Sequence, residues 1–87
     1  MTMTMTSPEI VQRAKEQLVS LTGLHSDTVS SIGRDSDGWR VTVELVEVRR
    51  IPSTSDVIGT YDVRLDTAGD LLSYQRTRRY YRSQVSD

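Results

Sequence analysis

The chain has 87 residues, 36% hydrophobic and 26% charged, with 11 basic against 12 acidic side chains and a formal net charge of −1. That balance gives no overall pull toward nucleic acid or anionic membrane, and the absence of cysteine excludes a disulfide framework, a thiolate zinc site and a cysteine nucleophile. The length suits one small domain, and with no phenylalanine its core must come from Val, Leu, Ile, the four tyrosines and Trp39, a modest core of the kind a partner helps complete. No run approaches the roughly 20 apolar residues that span a bilayer. The start, "MTMTMTSPE", lacks the basic and apolar regions of a signal peptide, so a soluble cytoplasmic protein is expected.

Residues 1–6 alternate Met and Thr and read as a disordered tail. The "TSPE" at residues 6–9 predicts a helix start. Thr6 or Ser7 can cap, Pro8 suits the first turn, Glu9 favours the positive end of the dipole, and Thr6 with Glu9 matches a capping box. Ile10, Ala14, Leu18 and Leu21 recur at helical spacing, with Val11 widening the stripe and Gln12, Arg13, Glu16 and Ser20 opposite. Gly23 suits a left-handed helix stop. The result is an amphipathic helix over 8–22 whose apolar stripe must lie on something.

Four extended segments follow. Residues 28–34 are weakly patterned, with Val29 and Ile32 among serines. "DSDG" at 35–38 is a turn; it resembles the start of a calcium loop, but the twelfth position, where such a loop needs a bidentate carboxylate, is Val46. Over 39–51, Trp39, Val41, Val43 and Leu45 alternate with Arg40, Thr42 and Glu44, until Val46 follows Leu45 directly and the period slips. That slip predicts a β-bulge at Leu45–Val46, which would bring Glu44 and Glu47 to one face and curve the strand around the helix. Residues 52–56 connect to 57–66, where Tyr61, Val63 and Leu65 alternate with Thr60, Asp62 and Arg64. "TAGD" at 67–70 is a hairpin loop, and 71–82 form the last strand, with Leu72, Tyr74, Arg76, Arg78 and Tyr80 along one side. The pattern predicts an α+β fold: one N-terminal amphipathic helix packed on an antiparallel meander sheet of three to four strands, a single domain over 7–82 with a C-terminal tail over 83–87.

Ten of the 11 basic residues are Arg, and Arg76, Arg78, Arg79 and Arg82 fall in the segment "YQRTRRYYR" at 74–82. Arginine makes planar bidentate pairs with carboxylates and stacks on aromatics, which suits a protein interface. The same interleaving of Arg and Tyr can stack bases and hold phosphate. A plainer reading is an edge strand whose arginines pair with nearby carboxylates such as Glu44 and Glu47. His25 stands alone just after the helix and reads as a solvated residue. No nucleophile elbow or glycine-rich phosphate loop occurs. The sequence therefore identifies no catalytic, cofactor-binding or metal-ligating residue, and a non-enzyme is expected.

Residues 38–82 are similar to the gas vesicle protein O family. The resemblance is carried by Gly38–Trp39, the spaced run Glu44, Glu47, Arg50, Ile51 and Pro52, then Asp56, Tyr61-Asp62-Val63, the Asp66 to Gly69 turn, Leu72 with Tyr74, and the Arg/Tyr-rich end. The helix before it is generic. This resemblance implies an accessory protein of gas vesicle formation, encoded alongside the wall protein and too polar to be the wall itself. A part in controlling vesicle gene expression is the alternative the family suggests.

The expected mechanism is recognition through the open face of the sheet and its last strand. Glu44, Glu47 and Asp62 would be acidic contacts, Arg49, Arg50, Arg76 and Arg79 bidentate donors, and Tyr74 and Tyr80 flat apolar area. The expected partners are other gas vesicle proteins, shell or accessory, with a homodimer through an edge strand as a further arrangement. No membrane partner or cofactor is expected, and nucleic acid is the rival ligand, bound by a regulator through the Arg/Tyr strand. Localisation would be cytoplasmic, on vesicles or their assembly intermediates.

Overall fold

The computed structural model describes residues 6–84. Residues 1–5 of the expected N-terminal tail and 85–87 of the C-terminal one lie outside that range. The chain runs α1 (Ser7–Thr22), β1 (His25–Asp35), β2 (Gly38–Val48), a short 3-10 turn (Ser53–Ser55), β3 (Val57–Asp66), β4 (Leu71–Tyr81) and a second 3-10 turn (Arg82–Gln84). Thr6, the last residue of the expected tail, caps α1 as its pairing with Glu9 predicts, and Ser83 and Gln84, placed in the C-terminal tail, belong to the last turn.

The helix begins where its capping chemistry is strongest. Thr6 Oγ1 accepts from the Glu9 N–H at 3.4 Å while Glu9 Oε1 accepts from the Thr6 N–H at 2.8 Å, so the capping box closes in both directions. That bonding holds the Glu9 carboxyl below the ordinary range. At the other end Gly23 turns left-handed at φ 73° and donates its N–H to Val19 O at 2.8 Å.

The four strands form one antiparallel sheet in the order β1-β2-β3-β4, so every neighbour in sequence is a neighbour in space. Trp39, Val41, Val43 and Leu45 of β2 and Tyr61, Val63 and Leu65 of β3 face the helix and meet Ile10, Ala14 and Leu18 in a single core, with Val19, Leu24, Val29 and Leu71 packed at its margin. Full burial of each large apolar side chain is worth about 1.5–3 kcal/mol. Gly38, which starts β2 at φ 152°, has no room for a side chain: a Cβ there would lie 2.0 Å from the Leu65 carbonyl oxygen.

Helix and hairpin are pinned by polar contacts. The Gln17 side-chain amide donates to Gly69 O at 2.8 Å and accepts from the Leu71 N–H at 2.9 Å, bonding the β3–β4 turn as a strand would. Arg13 reaches Asp70 at 2.6 Å. Asp66 organises the turn itself, its Oδ1 accepting from the N–H groups of Ala68 and Asp70 at 2.9 Å each.

Several elements differ from expectation. Leu21 is 59% exposed rather than core. It lies with Gln17 on the flank of α1 beside Leu71 of β4, the edge strand of the described sheet. Strand β1 is longer than the patterned 28–34 stretch, with irregularities at Asp27 and Ser30. Strand β2 ends at Val48, so Arg49 and Arg50 belong to the connection.

The bulge in β2 is not at Leu45–Val46 but one step later: Val46 pairs with Ile58 and Val48 with Val57, which leaves Glu47 as the extra residue. Leu45 therefore faces the helix and Val46 the opposite, open face. Both are buried; on the open side Val46 shares a cross-strand row with Ile58 and Tyr80, whose hydroxyl reaches Glu44. Two more irregularities, at Leu72 and Thr77, break the single-sided alternation expected for β4.

Replacing Leu18 by Ala should cost about 2–5 kcal/mol, whereas Leu21→Ala should stay within about 0.5 kcal/mol. Urea unfolding followed by circular dichroism measures both. Equal losses would mean that Leu21 shares the core after all.

Candidate interaction surface

Cross-strand pairing sorts the charged residues onto two faces. Arg76 pairs with Tyr61, Arg79 with Gly59 and Tyr74 with Val63, which puts these on the helix side of the sheet; Arg78 pairs with Thr60 and Tyr80 with Ile58, on the open side. Glu44 pairs with Thr60 on the open side, and Glu47 contacts the helix side. The two glutamates thus lie on opposite faces and not on one. The nine residues expected to contact a partner do not form a single patch, and Arg49 and Arg50 lie in the loop between β2 and β3.

On the helix side, beyond the core, Glu47 is the hub. Its side chain is only 8% exposed, and four donor contacts converge on it. Tyr61 Oη donates to Oε2 at 2.7 Å, Arg76 Nη1 donates to Oε1 and Oε2 at 3.2 and 3.4 Å, and Arg79 Nε forms an ion pair with Oε1 at 3.1 Å. A buried carboxylate needs such a set, since an unpaired one would carry a desolvation cost of several kcal/mol. Gly59 makes the space: a Cβ there would lie 2.2 Å from Glu47 Oε2. The Tyr61 ring packs against Tyr74 with centroids 6.3 Å apart. Burial, then the bond and charge of Glu47, push the Tyr61 hydroxyl up to about 12.

On the open side the acids are also bonded internally. Asp62 Oδ1 accepts from Thr42 Oγ1 at 3.0 Å, and Thr42 Oγ1 accepts from Ser31 Oγ at 2.9 Å, a polar ladder across three strands. Tyr80 Oη donates to Glu44 Oε1, with Arg78 stacked 5.0 Å from the Tyr80 ring centroid. Arg40 and Arg64, exposed and directly opposed, make no ion pair among the described residues.

At the end of the sheet Asp56 holds the loop and the C-terminal segment together. It accepts from the Arg50 N–H at 2.8 Å and pairs with Arg82 at 3.2 Å, while Arg82 also reaches Asp27 on β1 at 3.1 Å. The Arg50 N–H, and to a lesser extent Arg82, hold the Asp56 carboxyl below the usual aspartate range despite its burial. Asp27 and Asp56 raise Arg82 further above its already high value. Sequence reasoning singled out neither Asp56 nor Arg82 as a site residue; Asp56 entered only through the family resemblance and Arg82 only as one arginine of the last segment.

The acids of the expected surface have partners within the chain, while the arginines remain largely outward, with Arg76 and Arg79 side chains 48% and 53% exposed. Among the described residues, no cluster of three or more His, Cys, Asp or Glu side chains could hold a metal ion. None of the described helices is long and apolar enough to cross a membrane. This is a small α+β module with an arginine-bearing surface braced from beneath by carboxylates.

The chain belongs to the family described as gas vesicle synthesis protein GvpO, which matches residues 2–86. The match takes in the helix that the sequence left generic. Among curated relatives, it is 41% identical over 75 residues to gas vesicle protein O of Streptomyces sp. strain CB03234, covering 86% of this chain and 59% of that protein. It is 36% identical over 76 residues to gas vesicle protein O of Haloferax mediterranei, covering 86% and 54%. Against gas vesicle protein O1 of Halobacterium salinarum it is 33% identical over 75 residues, covering 86% and 63%. The chain thus spans between about half and two thirds of the length of these relatives. No solved structure matches.

Two pH arms follow. The raised Tyr61 hydroxyl contributes stability that is fully present below an ordinary tyrosine value of about 10 and is lost as pH rises toward about 12. A titration of tyrosinate absorbance should show a last step near 12 that Tyr61→Phe removes; its persistence in the variant would assign it elsewhere. The depressed Asp56 carboxyl contributes stability present above about pH 4 and lost as pH falls below it. Melting temperatures between neutral pH and pH 3 should therefore fall less steeply in Asp56→Asn than in the wild type.

Proposed function

We propose that this chain is an accessory module in gas vesicle formation that works by binding other vesicle proteins and not by catalysis. Family membership supplies the process. The observation that carries the mechanism is the division of charge: Glu44, Glu47 and Asp62 are bonded within the chain, while the guanidinium groups of Arg40, Arg50, Arg64, Arg76 and Arg79 belong to exposed residues. An arginine-rich, partly aromatic surface on a small rigid sheet suits protein contact. In this reading the protein acts in the cytoplasm, on vesicles or their assembly intermediates, and is too polar, with a mean hydropathy of −0.45, to form an apolar wall.

Affinity capture of the tagged chain from vesicle-forming cells, with and without nuclease and read by mass spectrometry, tests this. Vesicle proteins should be recovered in both samples. Recovery that disappears with nuclease would replace the proposal with a regulator acting through RNA or DNA.

Charge reversal of Arg76 and Arg79 is not a clean surface test, because it would place two new carboxylates beside buried Glu47. Arg50→Glu is the better variant. The Arg50 side chain is exposed and makes no ion pair among the described residues, and its bond to Asp56 uses the main-chain N–H. The melting temperature should hold while vesicle-protein recovery drops; unchanged recovery would remove Arg50 from the surface.

A further inference from the structure

The helix does not cover the whole face on which it lies. Beyond its reach, a cleft of about 350 Å³ is lined by Arg50, Val57, Arg79, Tyr80 and Tyr81, with no helix residue in its wall. Arg76 stands beside it, tied to Arg79 through their shared carboxylate, Glu47. Next to Arg50 in the same loop, Ile51 is fully exposed.

We infer that this cleft binds an acidic, partly apolar peptide segment of a protein partner, with Arg50 and Arg79 receiving its carboxylates and Ile51 and Val57 its apolar side chains. The inference rests on the interaction reading above and gives that reading a place and a ligand chemistry.

Charge decides the class of ligand. Three guanidinium groups, those of Arg50, Arg76 and Arg79, stand at this end, where Glu47 is already bonded by Tyr61, Arg76 and Arg79 and the other nearby carboxylate, Asp56, is paired with Arg82. This local surplus stands out on a chain whose net charge is −1. Arg79 meets Glu47 through Nε, which leaves its two Nη groups uncommitted to that carboxylate. Those groups form the planar end of the fork that pairs with an incoming carboxylate. Because Glu47 holds Arg79 from beneath, less side-chain freedom is lost on binding.

Shape and apolar lining favour peptide over nucleic acid. A single-stranded nucleic acid is held along a basic groove that tracks its backbone. Here the cations are gathered at one end of the sheet, and Arg82, the next arginine along, is engaged by Asp27 and Asp56. Exposed Ile51, with Val57 in the cleft wall, offers apolar contact that a phosphate backbone would not use.

The test is fluorescence anisotropy on the full chain with three labelled probes: a short peptide alternating Glu and Leu, its Gln-for-Glu counterpart, and a single-stranded RNA oligonucleotide of matched charge. The Glu/Leu peptide should bind and the Gln/Leu peptide should not. Arg50→Glu should weaken the acidic peptide about tenfold, the loss expected when one charge-assisted contact is removed. Arg79→Gln should weaken it too, and Gly59→Ala, which displaces the Glu47 carboxylate that braces Arg79, should do so without touching a ligand-contacting side chain. Melting curves check that each variant is folded.

Equal binding of the Gln/Leu peptide, tighter binding of the RNA, or no binding of the acidic peptide would each overturn the inference. Vesicle proteins captured in a nuclease-resistant way while the acidic peptide fails would sink this site alone and leave the interaction module standing.

Discussion

The arginine-bearing end of this molecule follows from a mismatch of lengths. A helix of 16 residues is about 24 Å long, and a strand of 11 residues runs about 36 Å. One helix cannot cover such a sheet. Where it lies, the sheet is closed with Ile10, Ala14 and Leu18 against valines, leucines and Trp39. Where it stops, the same face needs another way to end, and Glu47 provides it. Extruded by a bulge, set over Gly59 and surrounded by Tyr61, Arg76 and Arg79, it converts the apolar face into a polar one within a few residues.

The two ways of finishing the sheet bond their acids differently. On the open face, hydroxyls and a tyrosine take up the acids, as in the Ser31–Thr42–Asp62 ladder and the Tyr80–Glu44 bond, and no arginine is drawn into either. On the helix side a single carboxylate holds two arginines, so positive charge is left over. An almost neutral chain thereby presents a locally cationic end without a basic composition.

How much of this could be read from the residues depended on whether the chemistry was local. The capping box at Thr6 and Glu9, the left-handed Gly23 and the strict alternation of β3 involve neighbours in sequence, and all were legible. The order of elements followed, since a meander pairs each strand with the next. Strand β4 was legible as a strand but not by face, because extra residues at Leu72 and Thr77 shift its period twice and moved Arg78 and Tyr80 away from Arg76 and Tyr74. The adjacent apolar pair Leu45–Val46 looked like a change of face for a reason no local pattern reveals: each is buried on a different side, Val46 in a row with Ile58 and Tyr80 of two later strands. Pairing of Glu47 with Arg76, 29 residues away, likewise needs the finished sheet.

Arg82 gives that last point a kinetic meaning. Its pair with Asp27 joins residues 55 apart, and it links β1 and the segment after β4, the opposite edges of the sheet. The hairpins between them can form in sequence from short loops, each closing at small entropic cost. The clasp closes only when all the strands are in place. A contact made that late stabilises the native state far more than the transition state, so it sets how slowly the sheet opens rather than how fast it assembles. A change at Asp27 would register in the unfolding limb of the kinetics and leave the folding limb almost untouched.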